Sequence, residues 1–477
     1  MNRGSVGSGR VVIALLASGV VLGFAALATL DAVRGGPALR RVGVALGVAE
    51  PTIAHSVVVR DDDGPRLELT EGTATLADVA RLAAAGGHDG LLVAADDGWL
   101  LRAQLSVLAG ARLDVGDTIL RIADRGIESR GGHIVVVGSQ LVGWDLEAGG
   151  AGAPDVNPAD GRAWLVARDG GQMEIVDSHL RYLGYDEVGR TGATWLGVDS
   201  GGRVTGSTIA HVHTGIALHE VRSLSIAATE IRATVRDGVL QEGGGPVSYD
   251  ALTIARTGRD GVRFADARGG EVTAVTVVGA RGSGFELRDG TVGVGISGSE
   301  VRDGARAGVL ISGTQGVTLR DSDVYGNRTG VVVEDDAART RIIDNRIAAN
   351  RREGLFVRDR AAQAVVRGNR IDLNGRAGLA LVGADVEVTA NWLEQNADGI
   401  RIGEDEATGG IVDNQIVDNI EDGVDLPEQP TLTVAGNLIA DNRRGAFSVL
   451  SAGRSDPVAA DNTLRDNGDG QERIREP

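Results

Sequence analysis

The chain has 477 residues, of which 72 are glycine and 3% are aromatic, so no large aromatic core can form and the backbone must turn often. The formal net charge is -18 and every cationic residue is arginine, which argues against a nucleic-acid partner. Cysteine is absent, which excludes disulfides, thiolate metal sites and cysteine nucleophiles.

The N-terminus has the pattern of a membrane anchor. Residues 1–10 contain arginine and are predicted to stay in the cytoplasm, whereas residues 11–30 are uncharged and long enough to span a bilayer. The alternative is a cleaved signal peptide, because residues 26–28 are similar to a small-x-small cleavage site. Both interpretations place residue 31 onward outside the cytoplasm, in a single-pass cell-membrane protein or, after cleavage, in a secreted one.

Residues 31–98 are predicted to form a spacer and an N-terminal cap. Thr75 to Ala85 carries apolar residues at helical spacing, with Thr75 as the N-cap and Gly86-Gly87 as the stop, so we predict a short helix. A terminal repeat of a solenoid needs such a cover, because its open sheet edge would otherwise pair with other chains.

From residue 192 onward a glycine returns about every 23 residues, and a strand-forming run such as Val331-Val332-Val333 follows it in most copies. These glycines are Gly192, Gly215, Gly238, Gly261, Gly284, Gly308, Gly330, Gly354, Gly378, Gly399, Gly423 and Gly445. We therefore predict that residues 99–467 form an all-β, right-handed parallel β-helix, and that residues 468–477 form a frayed tail.

Asparagine recurs at two positions of each later coil. One series is Asn345, Asn369, Asn391, Asn414, Asn437 and Asn462, and the other is Asn327, Asn350, Asn374, Asn396, Asn419, Asn442 and Asn467. Stacked coils place these amides above one another, where each can donate to the next and can adopt the left-handed backbone of a sharp turn. We assign them a structural role.

Several strings outside the repeat occur in the order found in a known family. They are Gly143-Trp144-Asp145, residues 162–166, residues 177–186 and residues 204–208. Together with the repeat, they make residues 105–445 resemble the mannuronan C5-epimerases of alginate biosynthesis and their pectate-lyase-like β-helix relatives. The resemblance implies a β-helix acting on a uronate-containing polysaccharide. The family's catalytic Asp-Pro-His-Asp motif is replaced here by residues 240–243, Leu-Gln-Glu-Gly.

Removing the C5 proton of a uronate needs a cation for the carboxylate, a base and an acid. The repeat period places residues 190, 213, 236 and 259 in one column, so arginines would flank His213. The predicted catalytic residues are His211, His213 and Arg236, with Tyr182, Tyr185 or Tyr249 as the acid. His213 and Arg236 are expected at coil edges outside the core. The alternative is a polar turn without catalysis.

Arginine stands two residues before the periodic glycine in eight coils, at Arg190, Arg236, Arg259, Arg306, Arg328, Arg352, Arg376 and Arg443. Such a stripe would bind a polyanionic sugar chain through guanidinium–carboxylate contacts. Alternatively, nearby carboxylates such as Asp237, Asp260 and Glu353 balance solvated arginines. The predicted substrate-binding residues are Arg190, Arg232, Glu242, Arg259, Arg306 and Arg328.

No metal or other cofactor is predicted. Calcium is the alternative, because acidic clusters occur at residues 61–63, 335–336 and 404–406, but their spacing is not diagnostic. We expect a monomer whose partner is an anionic polysaccharide. Three functions stay open: an epimerase-like or lyase-like enzyme, a non-catalytic polysaccharide-binding β-helix, and a cell-surface scaffold without sugar specificity.

Overall fold

The computed structural model describes residues 57–60, 64–123, 125–152, 162–405, 407–427, 431–450 and 461–475. The predicted anchor at residues 11–30 and the first part of the predicted spacer lie outside these ranges. Within them, no helix is long and apolar enough to cross a membrane.

Each complete coil contributes one strand to each of three sheets, which we number 1 to 3 in the order in which the chain visits them. Equivalent strands of successive coils pair in parallel, with Val239 opposite Val262 and Val262 opposite Phe285 in sheet 1. This pairing repeats about every 23 residues and confirms the predicted parallel β-helix.

In each coil that has a periodic glycine, the strand of sheet 1 contains that glycine or begins directly after it. The first two strands of sheet 1 are antiparallel to each other, and the later strands pair in parallel. Its strands are Val57–Arg60, Arg66–Leu69, Gln104–Leu108, Gly126–Arg130, Trp164–Arg168, Gly192–Leu196, Thr214–His219, Val239–Glu242, Val262–Ala265, Phe285–Arg288, Ala307–Ser312, Thr329–Glu334, Leu355–Arg358, Leu379–Val382, Ile400–Ile402, Val424–Leu426, Gly445–Leu450 and Gly470–Arg475.

Sheet 2 is parallel throughout its named strands. Its strands are Gly72–Thr75, Ala111–Gly116, His133–Val137, Gln172–Val176, Gly201–Thr205, Ser223–Ala227, Ser248–Asp250, Glu271–Thr273, Gly295–Ser297, Thr318–Arg320, Arg341–Ile343, Ala364–Arg367, Asp385–Thr389, Thr408–Val412 and Thr433–Ala435.

Sheet 3 completes each coil and includes two antiparallel hairpins, at residues 92–101 and 140–151. Its strands are Leu92–Ala95, Gly98–Leu101, Ile119–Ala123, Gln140–Asp145, Gly150–Ala151, His179–Arg181, Thr208–Ala210, Glu230–Arg232, Thr253–Ala255, Thr276–Val278, Glu300–Arg302, Asp323–Tyr325, Arg346–Ala348, Arg370–Asp372, Trp392–Glu394, Gln415–Val417, Leu438–Ala440 and Thr463–Arg465.

The core consists of rows of similar side chains that stack from coil to coil. In sheet 3, Ile231, Ile254, Val277 and Val301 lie opposite one another in register and are at most 1% exposed. β-Branched side chains pack well in such rows, since each meets a neighbour of the same shape on the next strand.

The predicted cap helix is confirmed as α1, Leu76–Ala85. Thr75 is its N-cap: Asp78 N donates to Thr75 Oγ1 at 3.3 Å, and Thr75 N donates to Asp78 Oδ2 at 3.0 Å. The backbone hydrogen bond from Thr75 holds the pKa of the Asp78 carboxyl below its ordinary value. Leu76 and Val79 of α1 are buried in the main core, so the helix closes the first coil.

The boundaries predicted for the solenoid are too narrow at both ends. Arg66–Leu69 and Gly72–Thr75 already pair in parallel with strands of the following coil, so the β-helix begins before residue 99. At the other end, Gly470–Arg475 pairs in parallel with Gly445–Leu450, which corrects the expectation of a frayed tail. The strand Gly470–Arg475 has a polar sequence, which gives no apolar alternation from which a strand could be predicted.

Both asparagine ladders are confirmed. Asn391 Nδ2 donates to Asn414 Oδ1 at 2.9 Å, and Asn374 Nδ2 donates to Asn396 Oδ1 at 2.9 Å. The expected left-handed backbone, however, belongs to the residue before each asparagine, as at Asp413 with a φ of 56°. That residue makes the corner, which leaves the asparagine side chain free to turn inward to the ladder.

The periodic glycines are required by close backbone approach. A Cβ atom on Gly238 would lie 2.6 Å from Gly261 O and 2.5 Å from Ile254 Cγ2. The last member of the series is wrong by one residue, because Ala446 and not Gly445 follows Gly423 in the stack.

Candidate functional site

The predicted arginine column lies at the corner between sheet 3 and sheet 1. Arg236 N donates to His213 O at 2.8 Å, Arg259 N donates to Arg236 O at 3.2 Å, and Arg328 N donates to Arg306 O at 3.0 Å. The predicted register is therefore confirmed between these coils. The column consists of His213, Arg236, Arg259, Gly282, Arg306, Arg328, Arg352, Arg376, Ala397, Glu421 and Arg444.

Two arginines that were predicted for this column lie elsewhere. His213 N donates to Leu183 O and not to Arg190 O, because residues 183–191 form an irregular loop. In the last coil, Arg444 takes the position predicted for Arg443. Coils that gain or lose a residue shift the register, which a strictly periodic count cannot follow.

Ion pairs neutralise part of the column. Arg376 Nη1 lies 3.3 Å from Glu353 Oε1, and Arg352 Nε lies 3.5 Å from Glu353 Oε2. Arg306 and Arg328, in contrast, are exposed and form no ion pair with any described residue. The middle of the column thus carries positive charge without a counter-charge.

Three further exposed arginines at the same corner, which the sequence analysis did not identify, belong to this surface. Arg256 directly follows a strand of sheet 3, and Arg281 and Arg351 each precede a column position by one residue. None of the three forms an ion pair in the described part of the chain. We name Arg256, Arg281, Arg306, Arg328 and Arg351 the arginine corner.

His213 and Arg236 meet around a shared carboxylate. His213 Nε2 lies 3.9 Å from Asp186 Oδ1, and Arg236 Nη1 lies 3.9 Å from Asp186 Oδ2. The expectation that His213 lies at an open coil edge is wrong: its exposed fraction is 1%, since the loop at residues 183–191 packs over it. At 3.9 Å, the contact between His213 and Asp186 is an ion-pair distance and not a hydrogen bond.

Of the three tyrosines predicted as possible acids, Tyr182 contacts a predicted histidine. Tyr182 and His211 occupy left-handed corners of successive coils, and their rings stack with centroids 5.5 Å apart. The Tyr185 hydroxyl accepts a hydrogen bond from Arg190 at 2.9 Å, and its ring packs with Trp164. Burial raises the pKa of Tyr185, so this hydroxyl is a poorer proton donor. The third of these tyrosines, Tyr249, lies in the core, where burial also raises the pKa of its hydroxyl.

The other predicted binding residues are held in ion pairs of their own. Glu242 Oε2 lies 3.0 Å from His219 Nδ1, and Arg232 Nε lies 3.1 Å from Glu230 Oε1. Arg232 also lines a shallow depression of about 240 Å³ on sheet 3, next to His179. Glu242 and Arg232 are thus paired with neighbouring side chains outside the arginine column.

A contact beside Arg259 between the buried Asp260 and the partly buried Glu286 was not predicted. Asp260 is 4% exposed, and its Oδ1 accepts a hydrogen bond from Ser283 N at 2.7 Å. Burial raises the pKa of Asp260 to about 7, and the neighbouring Glu286 carboxylate adds to the shift. Arg263 Nε lies 3.2 Å from Glu286 Oε2 on the same face. Asp260 is therefore partly protonated at neutral pH.

Among the described residues, no group of three or more histidine, aspartate and glutamate side chains is placed to hold a metal ion. Of the acidic clusters considered for calcium, residues 61–63 and 406 lie outside the described ranges. Asp336 lies 2.8 Å from Arg360, and Asp335 accepts a hydrogen bond from Ser312. Asp335 and Asp336 are therefore engaged in surface contacts with neighbouring side chains.

Comparison with known families identifies the fold. Residues 237–393 match the family described as right handed beta helix region, and residues 358–472 match the family described as periplasmic copper-binding protein (NosD). The first match agrees with the predicted right-handed parallel β-helix over residues 237–393. No curated protein sequence matches the chain significantly.

Solved structures with a similar fold include two epimerases. The periplasmic alginate epimerase AlgG is 14% identical, with a TM-score of 0.46, and the match covers 86% of this chain and 85% of that chain. The A-module of the Azotobacter vinelandii mannuronan C-5 epimerase AlgE4 is 15% identical, with a TM-score of 0.37 and coverage of 85% and 95%. Similarities at this level concern the fold and carry no conclusion on activity.

Proposed function

We propose that the chain is an extracytoplasmic β-helix protein that binds an anionic, uronate-containing polysaccharide along the arginine corner. The observation that carries the proposal is the set of exposed arginines on successive coils without carboxylate partners among the described residues. Like charges stacked at coil spacing repel one another, and a ligand carboxylate relieves that repulsion.

The geometry of the corner suits an extended chain of acidic sugars. Successive coils are about 4.8 Å apart, which is comparable to the length of one pyranose unit in an extended polymer. A guanidinium group can bind a carboxylate through two parallel hydrogen bonds. The strings shared with the mannuronan C5-epimerases support a uronate as the sugar.

The proposed location rests on two features. The uncharged stretch at residues 11–30 follows an arginine-containing N-terminus, which favours export with the β-helix outside the cytoplasm. The match of residues 358–472 to a family described as periplasmic agrees with export. We propose a single-pass anchor as the means of attachment.

The double substitution Arg306→Ala/Arg328→Ala is expected to weaken the binding of a mannuronate hexamer by about tenfold or more, because each side chain supplies a charge-assisted hydrogen bond. Isothermal titration calorimetry of the full chain measures the change. The matched control, Arg341→Ala/Arg367→Ala, removes the same charge from exposed positions of sheet 2. An equal loss in the control would show that only net charge matters and would contradict a site at the corner.

Catalysis is the second candidate function, and the arrangement of His213, Asp186 and Arg236 favours it. The guanidinium would neutralise the sugar carboxylate, and the imidazole would remove the C5 proton. For an epimerase or lyase, incubation with polymannuronate in heavy water gives deuterium at C5 or unsaturated chain ends in NMR spectra. His213→Gln and Arg236→Ala would abolish that signal, while circular dichroism would show that both variants are folded. An absence of exchange in the wild-type chain would leave polysaccharide binding alone.

A further inference from the structure

Sheet 2 carries a depression that belongs to neither the arginine corner nor the His213 group. Its volume is about 640 Å³, and it lies on the outer face of the coils that contain residues 172–223. Both charged and uncharged hydrogen-bonding groups surround it. Its lining includes Gln172, Glu174, Ser200, Gly201, Arg203 and Ser223.

The depression exists because glycine interrupts a row of outward side chains. Gln172, Gly201 and Ser223 lie opposite one another on three successive strands. A Cβ atom on Gly201 would lie 3.1 Å from Gln172 Oε1 and 3.2 Å from Ser223 O. Any side chain at Gly201 would therefore fill the space between its neighbours.

Internal hydrogen bonds fix the walls of the depression. Trp195 is fully buried, and its Nε1 donates to Gly201 O at 3.0 Å. Gln172 Nε2 donates to Asp199 O at 3.2 Å, which ties the floor to the loop at residues 197–200. A site that is ordered before binding loses little conformational entropy when a ligand enters.

The charged groups beside the depression neutralise one another in a continuous chain. Arg112 Nε lies 2.7 Å from Asp114 Oδ1, and Arg112 Nη1 contacts His133 Nδ1 at 3.2 Å. His133 Nε2 contacts Glu174 Oε1 at 3.1 Å, and Arg203 Nε donates to Glu174 Oε2 at 2.8 Å. Since a guanidinium only donates, His133 Nδ1 accepts and the Nε2 proton points at Glu174.

This pairing sets the ligand chemistry. The two arginines of the chain face the carboxylates of Asp114 and Glu174, and the exposed carboxylate of Asp199 at the rim adds negative charge. Among the residues that line the depression, an anionic sugar would therefore meet no unpaired cation. Amide, hydroxyl and paired carboxylate groups instead suit the hydroxyls of an uncharged sugar.

We infer that this depression is a second carbohydrate-binding site, which takes an uncharged, hydroxyl-rich sugar unit. The inference goes beyond the proposed function, because it concerns another face of the β-helix and a ligand without charge. The chain would then hold two kinds of sugar at once, an acidic one at the arginine corner and a neutral one on sheet 2.

The test compares sugars that differ in charge. The full chain is titrated by calorimetry with the neutral hexasaccharides mannohexaose, cellohexaose and maltohexaose, and with a mannuronate hexamer. We expect at least one neutral hexasaccharide to bind, and Gly201→Val to weaken that binding at least tenfold while leaving mannuronate binding unchanged. Glu174→Gln, which keeps the volume but weakens the contacts to His133 and Arg203, is expected to weaken the same binding.

The matched control is Gly410→Val, also in a strand of sheet 2, where the nearest atom to a Cβ is 3.5 Å away. The control should bind all sugars as the wild type does, and circular dichroism should show that every variant is folded. If no neutral hexasaccharide binds, or if Gly201→Val binds it as tightly as the wild type, the site on sheet 2 is refuted. If the wild-type chain binds a neutral hexasaccharide but no mannuronate hexamer, the arginine corner is contradicted and the site on sheet 2 is not.

Discussion

Replacing Gly330 by valine is expected to lower the free energy of unfolding by about 3 kcal/mol or more. A Cβ atom at this position would lie 2.3 Å from Gly354 O, 2.5 Å from Ile347 Cγ2 and 2.8 Å from Asn350 Nδ2. These atoms belong to a backbone carbonyl, a core side chain and an asparagine ladder, so none can move without breaking contacts in the next coil. Denaturant unfolding monitored by circular dichroism measures the change.

Gly410→Val provides the matched control for this substitution, because it adds the same side chain to a β-strand glycine whose Cβ would make only ordinary van der Waals contacts. Its unfolding midpoint should stay close to that of the wild type. Equal midpoints for Gly330→Val and Gly410→Val would contradict the view that close backbone approach explains the periodic glycines.

Asp260→Asn is expected to stabilise the protein at pH 8 and to have little effect at pH 4. Because burial raises the pKa of Asp260 to about 7 from an ordinary value of 3.8, the folded state binds this proton more tightly than the unfolded state. Stability is therefore fully present below about pH 4 and is lost as pH rises through about 7. The loss is on the order of 2–4 kcal/mol.

The asparagine variant keeps the acceptor for Ser283 N and can donate to Glu286, but it carries no charge at any pH. Between pH 4 and 8, the unfolding midpoint of the variant should fall less than that of the wild type, because the decline that Asp260 causes is absent. Asp250→Asn, an exposed position on sheet 2, should follow the wild-type curve. A wild-type stability that rises between pH 4 and 8, with no effect of Asp260→Asn, would refute the assignment.

The fold follows from the sequence because a solenoid repeats the same contacts. A glycine such as Gly238 is needed wherever one backbone approaches the next, so the spacing of glycines reveals the coil length. The asparagine ladders reveal the register in the same way. The ends of the solenoid are different: Gly470–Arg475 pairs through its backbone while its sequence is polar, so its strand leaves no apolar pattern.

The candidate site was predictable only where it obeys the period. The column from His213 to Arg376 was predicted, since its members are one coil apart. Asp186 comes to His213 through an irregular loop, whose path no periodicity describes. Asp260 and Glu286 are 26 residues apart and occupy different positions in their coils, so a count of equivalent positions could not pair them.

Titration calorimetry of the full chain with a mannuronate hexamer at increasing salt concentration tests the central claim most directly. The arginine corner predicts binding at low salt and an affinity that falls steadily as salt screens the guanidinium–carboxylate contacts. Arg306→Ala/Arg328→Ala should bind more weakly and with a shallower dependence on salt. An absence of binding at low salt, or an affinity that does not change with salt, would contradict the account.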